Sequence, residues 1–87
     1  MWTLKISSQA SRFYASLRGK EQARVAAAFD ELAREPTSGK PLKGELKGYW
    51  SYRVGVYRIL YAIEENEIVV YVLRIQHRKE VYERFRR

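Results

Sequence analysis

The apolar periodicity of this chain changes near residue 48, and that change limits the folds open to it. From Tyr49 to Val54, Val56 to Ile63 and Ile68 to Gln76, aromatic and β-branched residues recur at every second position. Period two with such side chains predicts three strands, each with one face buried. Gly55 marks one tight turn between them and Glu65-Asn66 marks the other. Before residue 48 the period is helical. Ala10, Phe13, Tyr14 and Leu17 form one stripe behind a capping Ser7 or Ser8. Val25, Ala28, Phe29, Leu32 and Ala33 form a second stripe, from about Lys20 to Arg34. Gly19 breaks the chain between the two, Ala26 and Ala27 favour helix, and Pro36 ends the run.

Trp2 to Ile6 alternates apolar and polar residues and predicts a short first strand. Residues 35–48 hold both prolines and three of the five glycines, which predicts a loop. A basic helix is expected from about Arg78 to Arg86. The resulting order is β-α-α-β-β-β-α, an α+β fold. An antiparallel sheet of about four strands packs on an N-terminal helical hairpin and leaves its other face partly free. With 87 residues there is room for one domain, 1–87, and no second core. A chain of this size buries roughly 60–65% of its unfolded surface.

Strand register turns this outline into a candidate site. If Gly55-Val56 is a two-residue loop, Val54 pairs with Tyr57, Arg53 with Arg58, Tyr52 with Ile59 and Trp50 with Tyr61. The apolar face then holds Trp50, Tyr52, Val54, Tyr57, Ile59 and Tyr61, and the opposite face holds Tyr49, Ser51, Arg53, Arg58 and Leu60. With Glu65-Asn66 as a two-residue loop, Ile59 pairs with Val72, Tyr61 with Val70 and Ile63 with Ile68. Leu73 then meets Arg58, and Ile75 and His77 continue along the Arg58 face. Arg74 falls on the packed face in this scheme and needs a carboxylate or the sheet's edge there. Like charges directly opposite on a sheet repel, so Arg53 against Arg58 points to an anion between them. The plain alternative is that both side chains splay into solvent or pair with Glu45 and the acidic turn at 64–67.

Charge agrees with an anionic partner. The chain carries +7, with a pI near 9.9. Residues 40–63 hold five Lys/Arg against Glu45 alone, and residues 74–87 hold six against Glu80 and Glu83. Such clusters suit a polyanion, although a merely solvated basic surface has the same composition. No apolar run approaches the ~20 residues of a membrane span, and the start lacks the regions of a signal peptide. The cytoplasm is therefore the expected compartment. There is no cysteine, hence neither a disulfide nor a thiolate metal site.

No phosphate-binding glycine loop, nucleophile elbow or metal-ligand cluster occurs, and no cofactor or metal is implied. His77 is the only histidine. A lone imidazole beside arginines suits metal-free RNA cleavage, in which a ribose 2′-OH attacks the adjacent phosphate. Imidazole titrates near neutral pH, and guanidinium forks match phosphate oxygens and developing charge. Tyr82, one helical turn past Arg78, can stack on a base or join the proton transfer. His77 is equally readable as a polar strand end, and Tyr82 as an anchor of its helix on the sheet.

Residues 44–61, with Arg53-Val54-Gly55-Val56-Tyr57-Arg58 at their centre, resemble the central hairpin of RelE-type toxins. His77-Arg78-Lys79-Glu80-Val81-Tyr82 resembles the C-terminal motif of the same RelE/ParE superfamily. The likeness spans nearly the whole chain. It implies the toxin of a type II toxin–antitoxin pair, a ribosome-dependent mRNA endoribonuclease silenced by a cognate antitoxin in a hetero-oligomer. It implies Arg58 as the phosphate-stabilising arginine, Tyr82 as the stacking or proton-transfer tyrosine, and His77 and Arg78 as members of the basic motif. Tyr49 and Ser51 stand where the best-known member has a pair of catalytic lysines. Lys43 or Lys47 is then expected to reach in from the loop, or His77 to supply the proton-transfer group. Lys43, Lys47, Arg53 and Tyr49 are the candidates for RNA and phosphate binding. Two other functions fit the same fold: a ParE-like inhibitor of DNA gyrase, and a non-catalytic module that binds RNA or only its antitoxin. The antitoxin is expected to wrap the chain, displacing the C-terminal helix or covering the Arg58 face.

Overall fold

The structure, a computed structural model, describes residues 1–77. The expected helix at 78–86, with Arg78 and Tyr82, lies outside the described residues. Strand β1 (Thr3–Ile6) leads into helices α1 (Ser8–Ser16) and α2 (Gly19–Arg34). A segment with two short 3-10 turns, at Pro36–Ser38 and Gly44–Leu46, carries the two-residue strand β2 (Lys40–Pro41). Strands β3 (Trp50–Val54), β4 (Tyr57–Glu64) and β5 (Val69–His77) follow. The α+β class and the helical hairpin match the expectation. The sheet differs, having five strands in the order β1-β5-β4-β3-β2 with β1 parallel to β5. The two-helix crossover after β1 makes this parallel pairing possible. Thr3 N–H donates to Ile68 O (3.1 Å) and Ser7 N–H to Val72 O (2.9 Å).

Both helices form where capping and apolar spacing favour them. Ser7 is extended, and its Oγ accepts from Ala10 N–H, capping α1. Gly19 opens α2 at a φ of +55°, a conformation that favours glycine. Ala10, Val25, Ala28 and Leu32 are buried against Val54, Ile59, Tyr61, Val70, Val72 and Ile75. Phe13 meets Tyr57 edge to face at 5.4 Å. The apolar stripes and the packed face of β3 and β4 are therefore those the periodicity predicts.

The first hairpin has the expected register, pairing Val54 with Tyr57, Arg53 with Arg58, Tyr52 with Ile59 and Trp50 with Tyr61. Gly55 turns it at a φ of +60°. The second hairpin does not. Its loop spans 65–68 with Ile68 at a φ of +56°, and Ile63 pairs with Val70 and Tyr61 with Val72. This two-residue shift preserves the faces of Val70 and Val72. A bulge then intervenes, because Leu60 pairs with Arg74 whereas Tyr61 pairs with Val72. Leu73 is the extra residue, and one extra residue exchanges the faces of everything beyond it.

Candidate phosphate-binding face

The bulge decides which side chains stand with Arg58. Directly opposed residues of an antiparallel pair share a face. Arg58 opposes Gln76, and Leu60 opposes Arg74, so both β5 side chains join the Arg58 face. Ile75 opposes Ile59 and is fully buried in the core, and His77 opposes Tyr57 on the helix-packed side. This corrects the two-residue-loop scheme for Arg74, Ile75 and His77, the residues beyond the bulge. Arg74 is on the face that points away from the helices, and His77 is not.

Helix α1 holds β5 in this arrangement. Ser7 Oγ donates to the carbonyl of the bulged Leu73 at 2.6 Å. Just beyond, Gln9 pairs with both backbone groups of Ile75: its amide donates to Ile75 O (3.0 Å) and its carbonyl accepts from Ile75 N–H (3.1 Å). Gln9 thus takes the place of a strand residue where β1 has ended, satisfying edge groups that would otherwise be left to solvent. The consequence for the opposite face is a fixed direction for Arg74 and Gln76.

Two rows of side chains cross the sheet there. Arg53, Arg58 and Gln76 form one, and Lys40, Ser51, Leu60 and Arg74 form the next. Arg53 and Arg58 turn apart: Arg53 is exposed, with its Nε–H directed to Gly55 O at 3.5 Å, while Arg58 Nη1 donates to Ser51 Oγ at 3.4 Å. The Nε atoms of Arg58 and Arg74 are both buried, as are Ser51, Leu60 and Gln76. Guanidinium groups with buried stems and neighbouring polar side chains are well suited to hold phosphate oxygens, since little ordering remains to be done on binding.

Lys43 and Lys47 flank the second 3-10 turn and are exposed. They lie at the far end of β3 from the Arg53–Arg58 pair; from Tyr49 to Arg53 alone the strand runs roughly 13 Å. Tyr49 is half-buried, with its backbone paired to Leu42 and Leu46. The lysine that register brings to the site is Lys40, beside Ser51 on β2. Arg74 and Lys40 are the residues that periodicity misses. Arg74 is hidden by a bulge, which leaves no mark in an alternating pattern. Lys40 is hidden by a strand of two residues, too short for any period.

Known proteins share this fold. The family described as the ParE toxin of type II toxin–antitoxin system, parDE, matches residues 2–82. Toxin RelG of Mycobacterium tuberculosis is 48% identical over 58 residues, which are 66% of this chain and 67% of that protein. Toxin RelK of the same organism is 31% identical over 70 residues, covering 75% and 82% respectively. Among solved structures, the toxin–antitoxin complex RelBE2 of M. tuberculosis superposes with a TM-score of 0.77 at 40% identity, over 87% of this chain and 96% of that one. The archaeal RelE–RelB complex of Pyrococcus horikoshii gives the same TM-score at 25% identity, over 88% and 94%.

Proposed function

Since the chain belongs to the ParE toxin family of type II toxin–antitoxin systems, with relatives among the RelE and YoeB toxins, we propose that it is a ribosome-dependent mRNA endoribonuclease whose phosphate-binding centre is the Arg58–Arg74 face. The observation that supports this reading is the convergence of Arg58, Arg74 and Lys40 on one sheet face, with Arg58 directed by Ser51. In the reaction the ribose 2′-OH attacks the adjacent phosphorus, the 5′-oxygen leaves, and a 2′,3′-cyclic phosphate remains. Charge builds on the equatorial phosphate oxygens as the fifth bond forms. Arg58 meets that charge, and Arg74 and Lys40 add to the positive potential across the same surface. Arg53, more exposed, contacts the flanking backbone.

The proton-transfer groups follow from the family motif. Tyr82 is assigned to the proton transfer, taking the 2′-OH proton and returning one to the leaving 5′-oxygen while its ring lies against the neighbouring base. Arg78 is assigned to the charge that develops on that oxygen. His77 sits on the other face of the sheet in register with Tyr57, so it contributes by holding the strand end that leads to Arg78. The cognate antitoxin silences the chain by covering the arginine face; the similar RelBE2 structure is likewise a toxin–antitoxin complex.

The test is inducible expression followed by mapping of message ends. Wild type arrests growth and leaves discrete cuts within codons. Arg58→Ala lowers cleavage by about 10²–10³-fold, the usual effect of deleting a donor to developing charge. His77→Ala lowers it by less than about tenfold, as befits a positioning group. Growth arrest with intact messages and a DNA-damage response would overturn the nuclease reading in favour of gyrase.

A further inference from the structure

A cleft on the helix-packed side of the sheet, just past the end of α2, has a chemistry opposite to that of the arginine face. Trp2, Trp50, Pro36 and Ile63 line about 260 Å³, together with the exposed Glu35 and Glu65. Among the described residues no Lys or Arg lines it, although the chain as a whole carries +7. The groove between α2 and β3, by contrast, is lined by Arg24, Arg34 and Arg53 against Glu31 alone. Phosphate is disfavoured in a cleft whose described charges are two carboxylates, and a cation is favoured.

The walls are built in advance. Tyr61 Oη donates to Pro36 O at 2.6 Å and accepts from Gly39 N–H at 3.1 Å. The Trp50 ring stacks on Tyr61, with centroids 6.3 Å apart at 29°. Thr37 Oγ1 donates to Glu35 Oε2 at 2.9 Å and aims that carboxylate. Trp2 is tied to the end of α2 by its backbone N–H on Ala33 O at 2.8 Å. A preformed site loses little entropy on binding, and indole is the best aromatic partner for a guanidinium or ammonium group.

We propose that this cleft takes the arginine or lysine side chain of an extended basic segment of a protein partner, with the cation against the Trp2 and Trp50 indoles and Glu35 and Glu65 matching its charge. The surface is separate from the arginine face, so it stands whether or not the chain cuts RNA. It gives the protein two docking faces of opposite sign, one for a nucleic acid or acidic segment and one for a basic segment.

Both tryptophans of the chain line the cleft, so intrinsic fluorescence reports on it. The full chain is titrated at low ionic strength with the blocked tripeptide acetyl-Leu-Arg-Arg-amide. A saturable change in tryptophan emission is expected, half-complete at roughly millimolar peptide. Glu35→Gln with Glu65→Gln alters only exposed carboxylates, keeps the fold, and weakens binding about tenfold. The acidic peptide acetyl-Leu-Glu-Glu-amide, a neutral proline tripeptide and adenosine monophosphate give no saturable change. The proposal is overturned if the arginine peptide gives none either. An equal response to any of the other three probes, or undiminished binding by the double variant, overturns it as well.

Discussion

The ring of Tyr61 is fully buried in the core, while its hydroxyl bridges Pro36 and Gly39 and so fastens the segment after α2 to the sheet. Burial, with the Gly39 N–H opposing it and the nearby Tyr52 adding to it, pushes the phenol up to about 12. A folded value above the unfolded one, near 10, means that the stabilisation is complete below about pH 10 and is lost as pH rises toward 12. Tyr61→Phe should therefore cost about 1–3 kcal/mol near neutral pH, from the unmet Pro36 and Gly39 groups. The gap from wild type should close in denaturant titrations above about pH 10. A gap that is constant to pH 12 would contradict this. Gly39 has no room for a methyl group, since a Cβ there would lie 2.4 Å from Tyr61 Oη and 2.6 Å from Ser51 O. Gly39→Ala should cost a similar amount by the same measurement. At this scale Arg53 and Arg58 are legible in the sequence because Gly55 pins their pairing. Nothing in the local pattern announces the Tyr61–Gly39 contact, which joins positions 22 residues apart.

Between elements, the decisive feature is the bulge at Leu73 and the way α1 supports it. Alternation makes β3, β4 and β5 legible as strands and makes the first hairpin legible to the residue. The second hairpin is not, for two physical reasons. Its loop is longer than the two-residue turn suggested by Glu65-Asn66, and it closes through Ile68 at positive φ, where a β-branched residue is unexpected. The bulge then adds a further one-residue step. Together these move Arg74 onto the Arg58 face of the sheet and His77 off it. Gln9 is the residue whose removal tests the arrangement. Gln9→Ala leaves the N–H and C=O of Ile75 without their side-chain partner. It should destabilise the chain by about 1–2 kcal/mol and speed hydrogen exchange at Ile75. Retained protection at Ile75 in that variant would show that the bulge stands without α1.

As a whole, the described residues form a mixed sheet with a helical hairpin on one side and Lys40, Arg53, Arg58 and Arg74 on the other. The net charge of +7 by itself points to an anionic partner, without saying where that partner binds. Register concentrates part of the charge, placing Lys40, Arg53, Arg58 and Arg74 on one face. The separation of an arginine face from an acidic aromatic cleft is not legible in the sequence. Trp2, Glu35, Trp50 and Glu65 are far apart along the chain and come together only through the sheet order and the end of α2. The family assignment and the fold agree with the toxin reading, and the proposed chemistry rests on the arginine face.

That chemistry is tested most directly by purified protein acting on messages held in programmed ribosomes, compared with the same messages carrying a 2′-deoxynucleotide at the scissile position. Wild type is predicted to cut the all-ribose message to a 2′,3′-cyclic phosphate end and to leave the deoxy-substituted message whole, with Arg58→Ala about 10²–10³-fold slower on the former. Cleavage of the deoxy-substituted message, or wild-type rates from Arg58→Ala, would contradict this mechanism.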